Sequence, residues 1–578
     1  MSDVTPSSAS DIEKNGVRET RTEHVEDEEK HVNSALRIDG DDEDHMHEPP
    51  MTFKRFMSLL AMAFLWTGSQ IPVYIFGSIP PYIYGDIGGV DRWIWFVLGN
   101  LLALAGVCPF VGSLSDLVGR RYAALLGGCF LCIGTVVATC AKDMNMFIAG
   151  TTIAGAGAGI CELTALAVTS ELAPTAKRGK YVAILIFTII PFVPSGLYGQ
   201  LIAAYAGWRY CGIIICTWCG IGTIFTALFY FPPPRPNSKG KSTNEILREI
   251  DFVGGLLSIS GMVVFMAGMQ WGGYQYAWDS AHVLAPLIIG AGLLIAFGFW
   301  EVYGAKFPMF PSRLKQDPRI LGLTLVITFI SGANFFGYLM FWPTQAFNVY
   351  GHDPVQVGLR VLPGGMAILT GACVVLWLLS VFRGRNKELM IISCILMTAG
   401  TASLACATPD NMDKLWGLLI LGGFGIGGIV VPASIITTII CPDDLIATVS
   451  ALTLSIRVIG GSVGYCIYYN VFVAKFKVYA PELIGGTMYK LGITNVTYIT
   501  NAIILTGASL LEEMKAIPGL ENETAYNMVV RAGQEAYSMS YQYVYLASIA
   551  AGVISIVCAC FLGDINKYMD DHVAVVLH

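Results

Sequence analysis
From about residue 53 onward the chain is a succession of apolar runs separated by short polar stretches. Each run is long enough to cross about 30 Å of hydrocarbon as a helix. The runs centre near residues 66, 103, 131, 157, 192, 220, 262, 292, 330, 367, 397, 425, 458 and 552, so fourteen membrane spans are expected. The composition agrees. Of the 578 residues 54% are hydrophobic and 13% charged, and a mean hydropathy of +0.60 is too high for a soluble protein of this size. The fold class that follows is an all-α, polytopic membrane protein.

The formal net charge of −7 misleads about that membrane body. The first fifty residues hold 15 Asp and Glu against 5 Lys and Arg, a net −10, which leaves +3 for everything after them. Residues 1–52 are therefore expected to be a disordered acidic tail, polar and poor in aromatics. Its histidines, His24, His31, His45 and His47, read more simply as part of a solvated charged run than as metal ligands. No metal, cofactor or nucleic-acid partner is expected, and neither a nucleotide loop nor a nucleophile elbow points to an enzyme. The 15 cysteines lie in or beside apolar runs and outline no disulfide framework; Cys129 and Cys132 form a C-x-x-C by helical coincidence. The acidic start lacks the apolar core of a cleavable signal.

Basic residues set the orientation. With the tail inside, the inner loops hold 16 Lys and Arg against 5 in the short outer loops, which puts both termini in the cytoplasm. The stretch 474–540 then falls outside, where Asn495 and Asn522 begin N-x-T glycosylation sequons. The 2–3 loop is the sharpest punctuation: Gly112 to Gly128, GSLSDLVGRRYAALLGG, sets Asp116, Arg120 and Arg121 between two long apolar runs. Such charges mark a turn at a membrane face, and Gly112 and Gly119 permit close backbone approach there.

This spacing resembles the G-x-L-x-D-x-x-G-R-[KR] signature between the second and third helices of major facilitator superfamily transporters. Glu171-Leu-Ala-Pro-x-x-x-Arg178-Gly is similar to that superfamily's second cytoplasmic signature. A repeat supports the same architecture, since the fourth run (AGAGAGICELTALAV) and the twelfth (LGGFGIGGIVVPASII) are both rich in small residues, although recurrence by composition is the plainer reading. SVFRGRNKELM, before the eleventh run, looks like a worn copy of the first signature without its aspartate. The offset of eight runs implies two six-helix halves with an inserted pair. The expected division is tail 1–52, first half 53–232, linker 233–250, inserted pair 251–304, second half 305–563 with the outer stretch 474–540, and tail 564–578.

Fourteen spans resemble the larger drug:proton antiporter branch of that superfamily. Within it, the chain is identified as similar to the fungal trichothecene efflux pump group by Ser69–Gly89, Pro194–Cys211, Phe341–Gly351 and the tail FLGDINKYMDDHVAVVL. The resemblance implies a plasma-membrane transporter, expected to be a monomer, that exports a hydrophobic or amphipathic toxin or secondary metabolite in exchange for protons. Two alternatives are an importer of a siderophore-like ligand by proton symport and a non-transporting sensor with the same fold. Two departures weaken the carry-over of proton exchange. Thr151 stands where that branch often has arginine, and the first span carries Gln70 in place of a membrane-embedded acid.

Proton coupling thus falls to Glu162. It precedes Glu171 by nine residues, about 13 Å along a helix, which places it near the midplane. Keeping a carboxylate charged there costs several kcal/mol, so reversible protonation is the functional reading and a hydrogen-bonded structural carboxyl the plainer one. Arg457 is the other mid-membrane charge, paired with a carboxylate or with helix carbonyls. Asp116, Arg120, Glu171 and Arg178 are the expected cytoplasmic gate, with topological anchoring as the plainer role. Trp66, Gln70 and Tyr74 share a face of the first span and Asn334, Tyr338 and Trp342 a face of the ninth, candidates for a substrate cavity between the halves. Packing or the interface belt would also use such stripes. Pro72, Pro80, Pro191 and Pro194 are expected to break or bend the first and fifth spans.

Overall fold
The computed structural model of the chain describes residues 50–232 and 250–569, except Asp91, Tyr274 and Gln316, together with Glu245 and residues 572–574. The four tail histidines and nearly all of the expected linker lie outside the described residues. What is described is helical. In order the α-helices are α1 (Phe53–Gly77), α2 (Pro80–Ile87), α3 (Ile94–Val118), α4 (Arg120–Thr139), α5 (Met144–Glu171), α6 (Arg178–Phe187), α7 (Ser195–Tyr205), α8 (Arg209–Phe229), α9 (Phe252–Trp271) and α10 (Ala281–Phe299). Then follow α11 (Pro318–Tyr350), α12 (Pro354–Val381), α13 (Asn386–Ser403), α14 (Met412–Val430), α15 (Pro432–Ile439), α16 (Ile446–Ala480), α17 (Gly486–Lys490), α18 (Val496–Gly507) and α19 (Glu523–Cys560).

Local chemistry sets the ends. Thr52, Asp143, Asp251 and Asp353 each accept a hydrogen bond from a first-turn amide, which satisfies a donor that has no partner inside its helix. Gly119, at φ +114, makes the sharp turn from α3 to α4, a conformation that costs a residue with a Cβ far more.

Among the described residues, thirteen helices are long and apolar enough to cross a membrane, not the fourteen counted from apolar runs. The difference is the expected fifth span. It consists of α6, a 3-10 turn at Ile190–Phe192 and α7, because Pro191 and Pro194, three residues apart, remove two amide donors within one turn and the helix breaks there. Pro72 behaves differently: it lies inside an unbroken α1.

Helices α1, α3, α4, α5 and α8 pack on one another, as do α11 to α14, α16 and α19. The two groups meet along two seams, α3 against α16 and α6–α7 against α12. Helices α9 and α10 pair with each other, and α9 lies against both α3 and α16. The stretch 474–540, expected as a loop, is helical. There α16 extends to Ala480, α19 starts at Glu523, and the segment between them carries α17 and α18. Ile484, Met488, Ala502, Met514, Leu520 and Val529 are fully buried in a core separate from that of the spans.

Candidate functional site
The first-signature residues are drawn together at the end of the bundle that carries the basic loops. Arg120 is fully buried. Its Nε donates to Glu171 Oε1 at 2.9 Å, its Nη2 is 2.5 Å from Asp116 Oδ1, and its Nη1 donates to Ser115 Oγ at 3.1 Å. The other oxygen of Asp116 reaches across the seam. It accepts from the Thr448 amide at 2.8 Å and the Thr448 hydroxyl at 2.6 Å, in the first turn of α16. A carboxylate there satisfies an orphan amide and faces the positive end of the helix dipole. The backbones approach closely enough that a Cβ on Gly112 would collide with Ala451.

Of the four residues expected in one network, Arg178 lies apart from the Asp116–Arg120–Glu171 cluster. Its guanidinium lies between the C-terminal ends of α5 and α15. Nε donates to Ser170 O of α5 at 3.1 Å, Nη1 to Thr438 O of α15 at 2.5 Å, and Nη2 is 3.2 Å from Asp443 Oδ1. Cations at helix C-termini satisfy free carbonyls and the negative end of the dipole. Asp443 also faces His572, with Nε2 to Oδ2 2.7 Å. The His572 carbonyl accepts from the amide and hydroxyl of Thr175, at 2.9 and 3.2 Å, on the opposite side of the seam. The C-terminal tail therefore bridges both groups. Its approach is fixed by Asn386, in the worn copy of the signature, which donates to Gly563 O and accepts from Ile565 N. Thr448, Asp443 and His572 escaped sequence reasoning because nothing in their spacing says which helix end they will meet; the acidic pair in Cys-Pro-Asp-Asp, two residues beyond α15, was the one available signal.

Deeper in the bundle Glu162, on α5, pairs with Arg457, on α16. Both side chains are about 95% buried, and the pair joins the two helix groups. Arg457 thus has a carboxylate partner, the first of its two expected arrangements. Both residues line a central cavity with about 1170 Å³ of space free of atoms, its open side included. Trp66, Gln70 and Tyr74 line it from α1, and Tyr338 and Trp342 from α11. Asn334 does not, because α11 turns it toward α16, where its Oδ1 accepts from Tyr468 at 2.8 Å. Tyr74 donates to Gln70 Oε1 at 3.3 Å, Tyr338 to Leu419 O at 3.1 Å and Trp342 to Arg360 O at 2.9 Å. These bonds occupy the polar tips and leave ring faces and aliphatic side chains as the wall. Ile186, Ile189 and Val193, around the break between α6 and α7, complete one side. A largely apolar cavity with a buried ion pair suits a bulky amphipathic ligand.

Outside the spans, Asn495 and Asn522 are exposed and act as N-caps of α18 and α19, each accepting from the amide of its own sequon threonine.

Residues 59–578 match the family described as fungal trichothecene efflux pump (TRI12). The chain is 25% identical over 506 residues to the trichothecene efflux pump TRI12 of Fusarium sporotrichioides, across 86% of this chain and 84% of that protein. It is 27% identical over 460 residues to the MFS-type transporter gkaD of Penicillium citrinum, across 78% of this chain and 77% of that one. Among solved structures, the major facilitator superfamily proton:xylose symporter XylE is similar in fold, with a TM-score of 0.52 at 14% identity over 90% of this chain and 98% of that one.

Proposed function
This chain belongs to the fungal trichothecene efflux pump family, and from that premise we propose that it exports an amphipathic toxin or secondary metabolite across the plasma membrane by alternating access, driven by proton entry. It is a multi-pass membrane transporter of the major facilitator fold and not an enzyme. On the proposed orientation the basic end and both termini face the cytoplasm.

The Glu162–Arg457 pair carries the reading. It is the one place where the central cavity holds charge from both helix groups, so a proton taken up by Glu162 acts on the cavity and the seam together. Protonation cancels the carboxylate charge and frees Arg457, which removes a tie between α5 and α16; deprotonation restores it. Two states that differ in this pair can rock against each other around a fixed cavity. At the basic end, Asp116 to Thr448 and Arg178 to Asp443 and Thr438 form the cytoplasmic gate. On this reading these contacts have to part for cargo to enter from the basic end.

Inside-out vesicles carrying the protein, with the lumen made acid, should accumulate a radiolabelled trichothecene or a related fungal metabolite. Glu162→Gln at equal expression should abolish this accumulation. Full accumulation by that variant would remove Glu162 from the coupling. Uptake only under the opposite gradient would reverse the direction, and binding without counterflow in proteoliposomes would leave a sensor.

A further inference from the structure
Beyond the central cavity, away from the basic end, lies a second cavity that the export reading does not use. It has about 1220 Å³ free of atoms, open side included, and meets the central one at a neck formed by Gly77, Ser78 and Pro343. No Asp, Glu, Lys, Arg or His lines it among the described residues.

Its walls are aromatic, in two sets of rings, each nearly parallel within itself and inclined to the other, with Tyr469 and Phe472 at 42° and Phe341 and Tyr541 at 73°. Tyr465 lies 5.1 Å from Phe341 at 29° and 6.1 Å from Tyr469 at 19°. Phe472 lies 4.6 Å from Tyr541 at 27° and 5.8 Å from Tyr537 at 19°. Two inclined sets of rings offer ring faces and edges to the cavity, surfaces on which a flat conjugated molecule packs. One polar atom awaits a partner. Gln200 is buried; its Nε2 donates to Ser78 O at 2.5 Å, while its Oε1 accepts from no described residue.

The segment with its own core roofs this cavity through Gly507, Ala508 and Ser509. Ser509, at φ +60, is the one non-glycine residue in the left-handed region among the described residues. Its hydroxyl donates to Asn348 Oδ1 at 2.6 Å, and Tyr84 donates to Ala508 O at 3.1 Å. Strain of this kind persists where surrounding contacts hold it, and it gathers at ligand clamps.

We propose that this outer cavity is a second binding site, for an uncharged, flat, fused-ring amphipathic molecule with a hydrogen-bond donor for Gln200. The proposal rests on the export reading, since it makes the site a stage between the central cavity and release.

The test uses the full chain in lipid nanodiscs titrated with 1-aminoanthracene, a fused-ring aromatic amine uncharged at neutral pH, with empty nanodiscs subtracted. Two saturable components are expected. Phe472→Ala should weaken one of them about tenfold, the loss of a stacking face, and Phe472→Tyr should restore it. Gln70→Leu, on the central cavity alone, should weaken the other. A single component that Phe472→Ala leaves intact overturns the outer site, as does no saturable binding. The vesicle experiment tests export separately, so an export-competent protein with one component refutes this site alone.

Discussion
At the residue scale, the strongest constraint is the buried pair of Glu162 and Arg457. Removing one partner of a buried ion pair strands a charge and costs about 3–5 kcal/mol, whereas removing both often costs little. Glu162→Gln and Arg457→Gln should therefore each lower thermal stability of the purified protein, and Glu162→Gln with Arg457→Met should recover most of the loss while still lacking proton-driven accumulation. A double variant no more stable than either single one would deny the pair its structural role. His352, in the turn between α11 and α12, gives a second expectation. It stacks on Phe347 at 3.9 Å, and burial pushes it down to about 4 against the opposing pull of Glu512. Because its folded value lies below the unfolded 6.5, its neutral form is stable in place above pH 6.5, and stability falls as pH drops from there toward 4. The slope is at most about 1.4 kcal/mol per pH unit for one proton. His352→Phe should flatten thermal stability between pH 6.5 and 4.5; an unchanged slope would place the acid sensitivity elsewhere.

At the element scale, the basic end is held by helix termini that meet across a seam. Asp116 serves the first turn of α16, and Arg178 serves the last turns of α5 and α15. The worn copy of the signature does other work, since Asn386 holds the C-terminal tail. Asp116→Asn should thus slow transport at least tenfold, consistent with about 1.5–3 kcal/mol for a charged hydrogen bond. Neutralising Arg383, Arg385 or Lys387 singly should do less, and equal effects would return the signature to topology. The tail offers a cleaner readout. Cys441, 3% exposed and two residues from Asp443, should react faster with a cytoplasmic maleimide in His572→Ala than in the unaltered protein, as read by mass spectrometry. Equal rates would mean that the tail does not brace this end. The sequence singled out Asp116, Arg120, Glu171 and Arg178 as one charge network but did not show that Arg178 would meet Asp443 and Thr438 instead, because spacing along one chain reports neighbours in sequence and not which second helix end lies opposite.

At the scale of the whole molecule, alternating access requires the two helix groups to separate at the basic end. Cys373 on α12 lies 3.6 Å from the carbonyl of Ala183 on α6, so Ala183→Cys places a second thiol on the other side of the seam. Oxidation should halt transport and reductant restore it; a cross-linked protein that still transports would exclude rocking along α6–α12. Apolar length, the placement of basic residues and two short signatures were enough for the sequence by itself to determine a polytopic helical transporter, because the cost of exposing backbone or charge to lipid applies to each segment alone. The prolines around Ile190–Phe192 foretold the broken fifth span in the same local way. Other features waited on the tertiary structure. Whether Asn334 faces the cavity or Tyr468, whether Arg457 meets a carboxylate, and whether residues 474–540 form a folded roof all depend on contacts between segments far apart in the chain. The pairing of Glu162 with Arg457 joins residues separated by 295 positions, and no periodicity within either helix records it.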